Sequence, residues 1–156
     1  LNPALIIGES LGALHALRIE GRPLLFVSPA LNAPYYFELL AWLTLIPGVT
    51  RIFDRIYRPR EGDRQNLHFT FKLLRKYLSH RRSALEIGCR TVESGYMHAF
   101  FGVNDHYMES RIVSLKTWRK YFGYNYSLYD GTHFMEEEHI NALLVPKICE
   151  ILNVSL

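Results

Sequence analysis

Cysteine is scarce in this 156-residue chain: Cys89 and Cys149 lie far apart, with no metal-ligand or redox spacing around either. That excludes a disulfide framework and a cysteine-based zinc site. It fits two free thiols in a reducing compartment, which makes cytoplasmic the expected location. Long apolar runs are lacking too. The longest, from Phe37 to Pro47, is broken by Glu38 and Thr44 and falls well short of the roughly 20 apolar residues of a membrane span. There is no internal repeat and no low-complexity tract, so solenoids and flexible linkers are out. Neither sign of charge dominates: the net charge is +3, with 21% charged and 49% hydrophobic residues. These values describe an ordinary globular chain long enough for one domain with one sizeable core.

What is present is a sharp local pattern near the start. Gly8-Glu9-Ser10-Leu11-Gly12 follows the strand-like Ala4-Leu5-Ile6-Ile7 and precedes the helix-like Ala13-Leu14-His15-Ala16-Leu17. A G-x-S-x-G between a strand and a helix is the mark of a nucleophile elbow. The serine takes a strained backbone conformation, and bulky residues two positions to either side would clash with the turning chain. Ser10 Oγ is thereby lifted clear of the sheet, and the Leu11 amide beside it can serve an oxyanion hole.

An elbow serine needs a histidine to take its proton and a carboxylate to orient that histidine. Met97–Gly102 is strand-like and runs into Val103-Asn104-Asp105; Tyr124–Tyr129 is strand-like and runs into Asp130-Gly131-Thr132-His133. Asp105 and His133 each close a strand, on the edge where open α/β sheets carry their sites. Singly, Ser10 and Asp105 read as helix N-caps and His133 as a loop residue. The order Ser, Asp, His, with strand–helix units between, selects the catalytic reading. Asp130 is the rival acid; three residues before His133, it reads as a turn-shaping residue.

These residues resemble an α/β-hydrolase, and in particular the small, compact YqiA/YcfP-type branch of esterase-like hydrolases. The resemblance rests on Ala4–Leu17, on the strand and turn Leu24–Leu31, and on the Gly102–Asp105 and Gly131–His133 turns, and it spans residues 4 to about 152. It implies an α/β-hydrolase fold, a mostly parallel sheet with helices on both faces, whose N-terminal strands are missing from this chain. It implies catalytic Ser10, Asp105 and His133, with Leu11 in the oxyanion hole and no cofactor or metal. The family's earlier strand, with its His-Gly-type loop and second oxyanion donor, would lie before Leu1. The expectation is therefore a fragment of a longer protein, covering most of one hydrolase domain.

Alternating elements give strands at 4–8, 24–28, 97–102 and 124–129, and helices at 11–20, 35–46, 65–80, 107–121 and 136–152. The segment 83–95 is undecided between helix and coil. Ile6 and Ile7 suggest a central strand apolar on both faces. Ten Lys or Arg stand against three acids between Arg51 and Arg82. This basic stretch falls in a helical, cap-like insertion at about 35–83, and it reads as a solvated surface or as a field that steers an anionic substrate. Its basic residues alternate with core-type apolar ones, which argues against nucleic acid.

Leu85-Glu86-Ile87-Gly88-Cys89-Arg90 echoes a methyltransferase glycine motif, but Arg90 stands where a second glycine is needed. Glu136 and His139 lack a third metal ligand. Two functions compete: a serine hydrolase of a small-molecule carboxylic ester or thioester, and a non-catalytic hydrolase-fold protein that binds a ligand or partner.

Overall fold

The computed structural model describes residues 2–56 and 69–154. Among the described residues, β1 (Ile6–Glu9), β2 (Leu24–Val27), β3 (Met97–Gly102) and β4 (Tyr126–Tyr129) form one sheet in the order β1-β2-β3-β4. Every pair is parallel: Glu9 lies opposite Val27, Val27 opposite Phe100, and Gly102 opposite Tyr129. All four C-terminal ends therefore share one edge.

Side chains alternate across a strand, and here both alternations are apolar. Phe26 and Phe101 turn to one face, where each meets Trp118 edge-on at 5.6 and 5.8 Å. Leu25, Phe100 and Tyr129 turn to the other, under Leu143, Leu144, Ile148 and Ile151. Helices cover both faces, which is why β2 is buried at every position.

The helices are α1 (Ala13–Ala16), α2 (Ala33–Leu43), α3 (Val49–Ile56), α4 (Phe71–Ser94), α5 (His106–Glu109), α6 (Leu115–Phe122), α7 (Glu137–His139) and α8 (Val145–Leu152). A 3₁₀ turn, Ser10–Gly12, leads into α1, and a π-turn, Ile140–Leu144, joins α7 to α8. The undecided segment 83–95 is the continuation of α4. Gly88 sits in that helix because a Cβ there would meet Leu17 at 2.7 Å and Phe122 at 2.9 Å. Its glycine serves helix packing, and the methyltransferase echo has no strand or loop to stand on.

Two expectations need correction. The helix at 107–121 is two helices: Arg111 takes φ 62° between them, and Ser114 Oγ accepts the Thr117 N–H at 3.2 Å to cap α6. The helix at 11–20 shrinks to the 3₁₀ turn and the short α1. Among the described strands β1 lies at one edge of the sheet, with β2 as its partner, and Ile7 is 48% exposed. The loop expected at Pro59–Asp63 and the first turn of the helix expected at 65–80 lie outside the described residues.

The chain divides into two compact units, one formed by Leu1–Ala33 with His80–Leu156, the other by Pro34–Ser79. The second holds nearly all of α2, α3 and the first part of α4. Inside it, Phe37 meets Tyr77 and Trp42 meets Phe71, both edge-on, at 5.1 and 5.3 Å.

Candidate active site

The sheet's C-terminal edge carries polar residues after every strand, among them Ser10, Ser28, Asp105 and His133. Ser10 follows β1 directly, at φ 50°. That left-handed conformation is costly for a residue with a Cβ and is the geometry of an elbow. Gly8 makes the turn possible. A Cβ there would meet Ala16 Cβ at 2.9 Å, and Ala13 Cα and Phe26 at 3.0 Å, so α1 reaches β1 only over a bare backbone. Gly12 differs from the sequence expectation. It has φ −57°, and a Cβ there would meet nothing within 4 Å. One of the two elbow glycines is sterically required, and the other is not.

Asp105 follows β3 and is buried. Its Oδ1 accepts the Tyr107 N–H at 2.8 Å, capping α5, while its Oδ2 lies 2.8 Å from His133 Nδ1. The cap and the imidazole partner are thus the same carboxylate, one function on each oxygen. Asp130, the rival acid, is exposed and accepts from Asn104 Nδ2 at 2.8 Å.

His133 reaches this position because the loop after β4 lies directly on the end of β3. The Val103 N–H donates to the Tyr129 carbonyl and the Asn104 N–H to the Gly131 carbonyl, both at 3.0 Å. A Cβ on Gly102 would collide with the carbonyls of Gly131 and Thr132, so only glycine allows the approach. The Tyr129 hydroxyl donates to the Thr132 carbonyl at 2.9 Å. Burial pushes that phenol's pKa up, which keeps it a donor. So held, His133 is buried with its Nε2 2.8 Å from Ser10 Oγ. The rings of Tyr107 and Phe134 stand edge-on to the imidazole at 4.6 and 4.8 Å.

The structure thus brings Ser10, His133 and Asp105 into one hydrogen-bonded chain, Ser10 Oγ to His133 Nε2 and His133 Nδ1 to Asp105 Oδ2. Facing a buried carboxylate, the imidazole holds its proton on Nδ1 and donates it there. Nε2 is left as the acceptor for the Ser10 O–H. Leu11 is the second residue of the 3₁₀ turn Ser10–Gly12, whose first backbone N–H groups have no partner within the turn itself.

Sequence reasoning passed over two residues here. Ser28 ends β2 beside the elbow, with φ 43°, its side chain buried and its N–H donating to the Phe100 carbonyl at 2.9 Å. Its place at a strand end before Pro29 was the available signal. Arg81, counted with the basic surface, instead donates to the Leu31 carbonyl at 2.8 Å and to Asn32 Oδ1 at 3.1 Å. It ties α4 to the loop after β2, and nothing in local sequence marked it. Among the described residues no group of His, Cys, Asp and Glu could hold a metal ion.

No protein-family model and no curated protein matches this sequence. Among solved structures the chain is similar to one reported in work on carboxylesterases of the ammonia-oxidizing thaumarchaeon Nitrososphaera gargenis. The identity is 10% and the TM-score 0.49, over 96% of this chain and 65% of that one. So distant a likeness carries no functional information. No described helix is long and apolar enough to cross a membrane.

Proposed function

We propose that this chain is an α/β-hydrolase-fold serine hydrolase that cleaves a carboxylic ester or thioester through an acyl-enzyme. The observation that carries the reading is the hydrogen-bonded chain itself: 2.8 Å from Ser10 Oγ to His133 Nε2 and 2.8 Å from His133 Nδ1 to Asp105 Oδ2. Its support is that three side chains from three strand ends meet on one edge of a parallel sheet, with the serine in a left-handed elbow.

In the first half-reaction Ser10 Oγ attacks the carbonyl carbon, and the Ser10 proton passes to His133 Nε2. Asp105 stabilises the imidazolium without taking its proton. The carbonyl oxygen gains the negative charge and accepts the Leu11 N–H. Collapse of the tetrahedral species breaks the bond to the alkoxide or thiolate, which leaves with the His133 proton. In the second half-reaction a water gives its proton to His133 and attacks the acyl carbon. Ser10 recovers the proton as the acid departs. Ser10, His133, Asp105 and the Leu11 N–H supply the protein groups named here, and these steps call for no cofactor.

Further parts of the reading are proposals of the same kind. The segment at about 35–83 is read as a cap-like insertion, its basic residues favouring an anionic substrate. A cytoplasmic site is supported by Cys89 and Cys149, both free thiols.

The test is active-site labelling with a fluorophosphonate. Labelling of the wild-type protein at Ser10, abolished in Ser10→Ala and in His133→Ala, is the expected result. A folded wild-type protein that resists the probe would favour the non-catalytic, ligand-binding alternative, since only an activated serine reacts at useful rates.

A further inference from the structure

The unit Pro34–Ser79 wears its apolar residues on the outside. Ten of the nineteen large exposed hydrophobics among the described residues belong to this unit, much the smaller of the two. They are not scattered. On α2, Tyr35, Leu39, Trp42 and Ile46 just beyond its end recur at i, i+4, i+7 and i+11, the spacing of one helical face, and all are exposed. Leu39 is 64% and Trp42 55% exposed.

On α3, two stripes run side by side: Ile52 and Ile56, exposed at 57% and 65%, and Arg51 and Arg55, exposed one position before each. Lys72, Arg75 and Lys76 are exposed on the first part of α4, with the Arg75 guanidinium 5.9 Å above the Trp42 ring. Exposed apolar residues in rows along two helices of one unit, with exposed cations beside them, mark an interaction site.

We infer that this face docks on an anionic lipid bilayer surface, lying in the headgroup region without crossing it. Two features select this occupant. Aliphatic and aromatic residues provide the apolar area that inserts just below the headgroups. Guanidinium and ammonium groups beside them match the negative charge of the surface. A nucleic acid would use the cations and leave Leu39, Ile52 and Ile56 in water. A second copy of the chain would set Arg51 and Arg55 against like charge. The inference does not depend on the hydrolase reading, because it concerns binding and not turnover.

The protein carries its own reporter. Trp118 is fully buried and Trp42 is exposed, so a change in tryptophan emission on docking comes from Trp42. The experiment is sedimentation of the whole protein with vesicles of phosphatidylcholine alone, or of phosphatidylcholine with phosphatidylglycerol, followed also by emission.

Expected are cosedimentation and a blue shift with the anionic vesicles only, both weakened by salt, and no blue shift in Trp42→Phe. Arg51→Gln and Arg55→Gln should each weaken binding about fivefold, in line with one surface cation each. Ile52→Ser with Ile56→Ser should weaken it at least tenfold. The far-ultraviolet circular dichroism of these variants should be unchanged. Binding to duplex nucleic acid but not to vesicles would overturn the inference. So would a stable dimer that leaves the vesicles in the supernatant, or equal binding to both lipid compositions. Loss of probe labelling with vesicle binding intact would overturn the hydrolase reading and leave this one standing.

Discussion

Two adjacent strands of this sheet end in the same way. Ser10 after β1 and Ser28 after β2 are both serines in the left-handed region, at φ 50° and 43°. The two turns are stitched together, the Ala30 N–H donating to the Ser10 carbonyl at 3.0 Å. Yet Ser10 is half-buried with an imidazole nitrogen 2.8 Å from its oxygen, while Ser28 is 0% exposed and its hydroxyl has no hydrogen-bond partner among the described residues. A strained serine at a strand end thus does not by itself gain an imidazole partner. What separates the two is what the other strands deliver: the loops after β3 and β4 bring a carboxylate and an imidazole to Ser10, while Ser28 stays buried without them.

The comparison breaks most visibly in turnover. With p-nitrophenyl esters as substrate, Ser10→Ala and His133→Ala should each lower kcat by about 10⁴-fold or more. The double variant should be little worse than either, because the pair acts as one unit. Asp105→Asn should cost about 10⁴-fold by favouring the wrong imidazole tautomer. It should cost little stability, since an amide oxygen can still accept the Tyr107 N–H. Steady-state kinetics beside urea melts will check this, and turnover that survives Ser10→Ala would place the chemistry elsewhere.

The two elbow glycines sharpen the same contrast in stability. Gly8→Ala forces a Cβ against Ala16, Ala13 and Phe26 at 2.9–3.0 Å and should cost about 1–3 kcal/mol. Gly12→Ala puts a methyl into open space at an ordinary helical φ. It should be neutral or stabilising by up to about 1 kcal/mol. Urea midpoints for the two variants decide it, and equal losses would mean that α1 does not approach β1 as described.

This pair also shows what the sequence could and could not tell. The strand-elbow-helix order, the parallel sheet and the three partners of the site were readable, because each depends on a local signal: a glycine pattern, an apolar run, a polar residue closing a strand. What stayed hidden depends on contacts made across the fold. Nothing around Gly12 says that its space is empty, and nothing around Arg81 says that it will reach Leu31. The break between α5 and α6 needed the pairing of the Ser114 side chain with the Thr117 amide, a local device that a continuous helical pattern masks.

His98 tests the sheet away from the site, so its effect should be smaller and confined to pH. It lies on β3 with Nε2 3.0 Å from Ser127 Oγ, and burial, then the Lys147 charge, hold its pKa below the ordinary value of 6.5. The folded state therefore takes up that proton at lower pH than the unfolded chain does. The contribution of neutral His98 is full above pH 6.5 and declines as pH falls toward the folded value. Wild-type stability should drop between pH 7.5 and 5.5 more than that of His98→Gln, as measured by urea midpoints. Parallel losses in the two proteins would show that His98 protonates alike folded and unfolded.

The smallest effect expected is at Ser28, and it decides the opening comparison. If this hydroxyl is only a sealed orphan, Ser28→Ala should leave ester turnover within about twofold of wild type. Stability should be unchanged or raised by about 1 kcal/mol, because a buried polar group without a partner costs roughly that much. The backbone strain would remain in the alanine variant, since alanine disfavours φ 43° as serine does. Ser28→Gly removes both the hydroxyl and the strain. A further gain in Ser28→Gly of about 1 kcal/mol over Ser28→Ala would then assign the difference to the left-handed turn. Kinetics together with urea melts on the two variants separate these terms. A tenfold fall in turnover for Ser28→Ala, with stability intact, would mean that the second serine hydroxyl takes part in the site after all. The contrast between the two strand ends would then be one of degree.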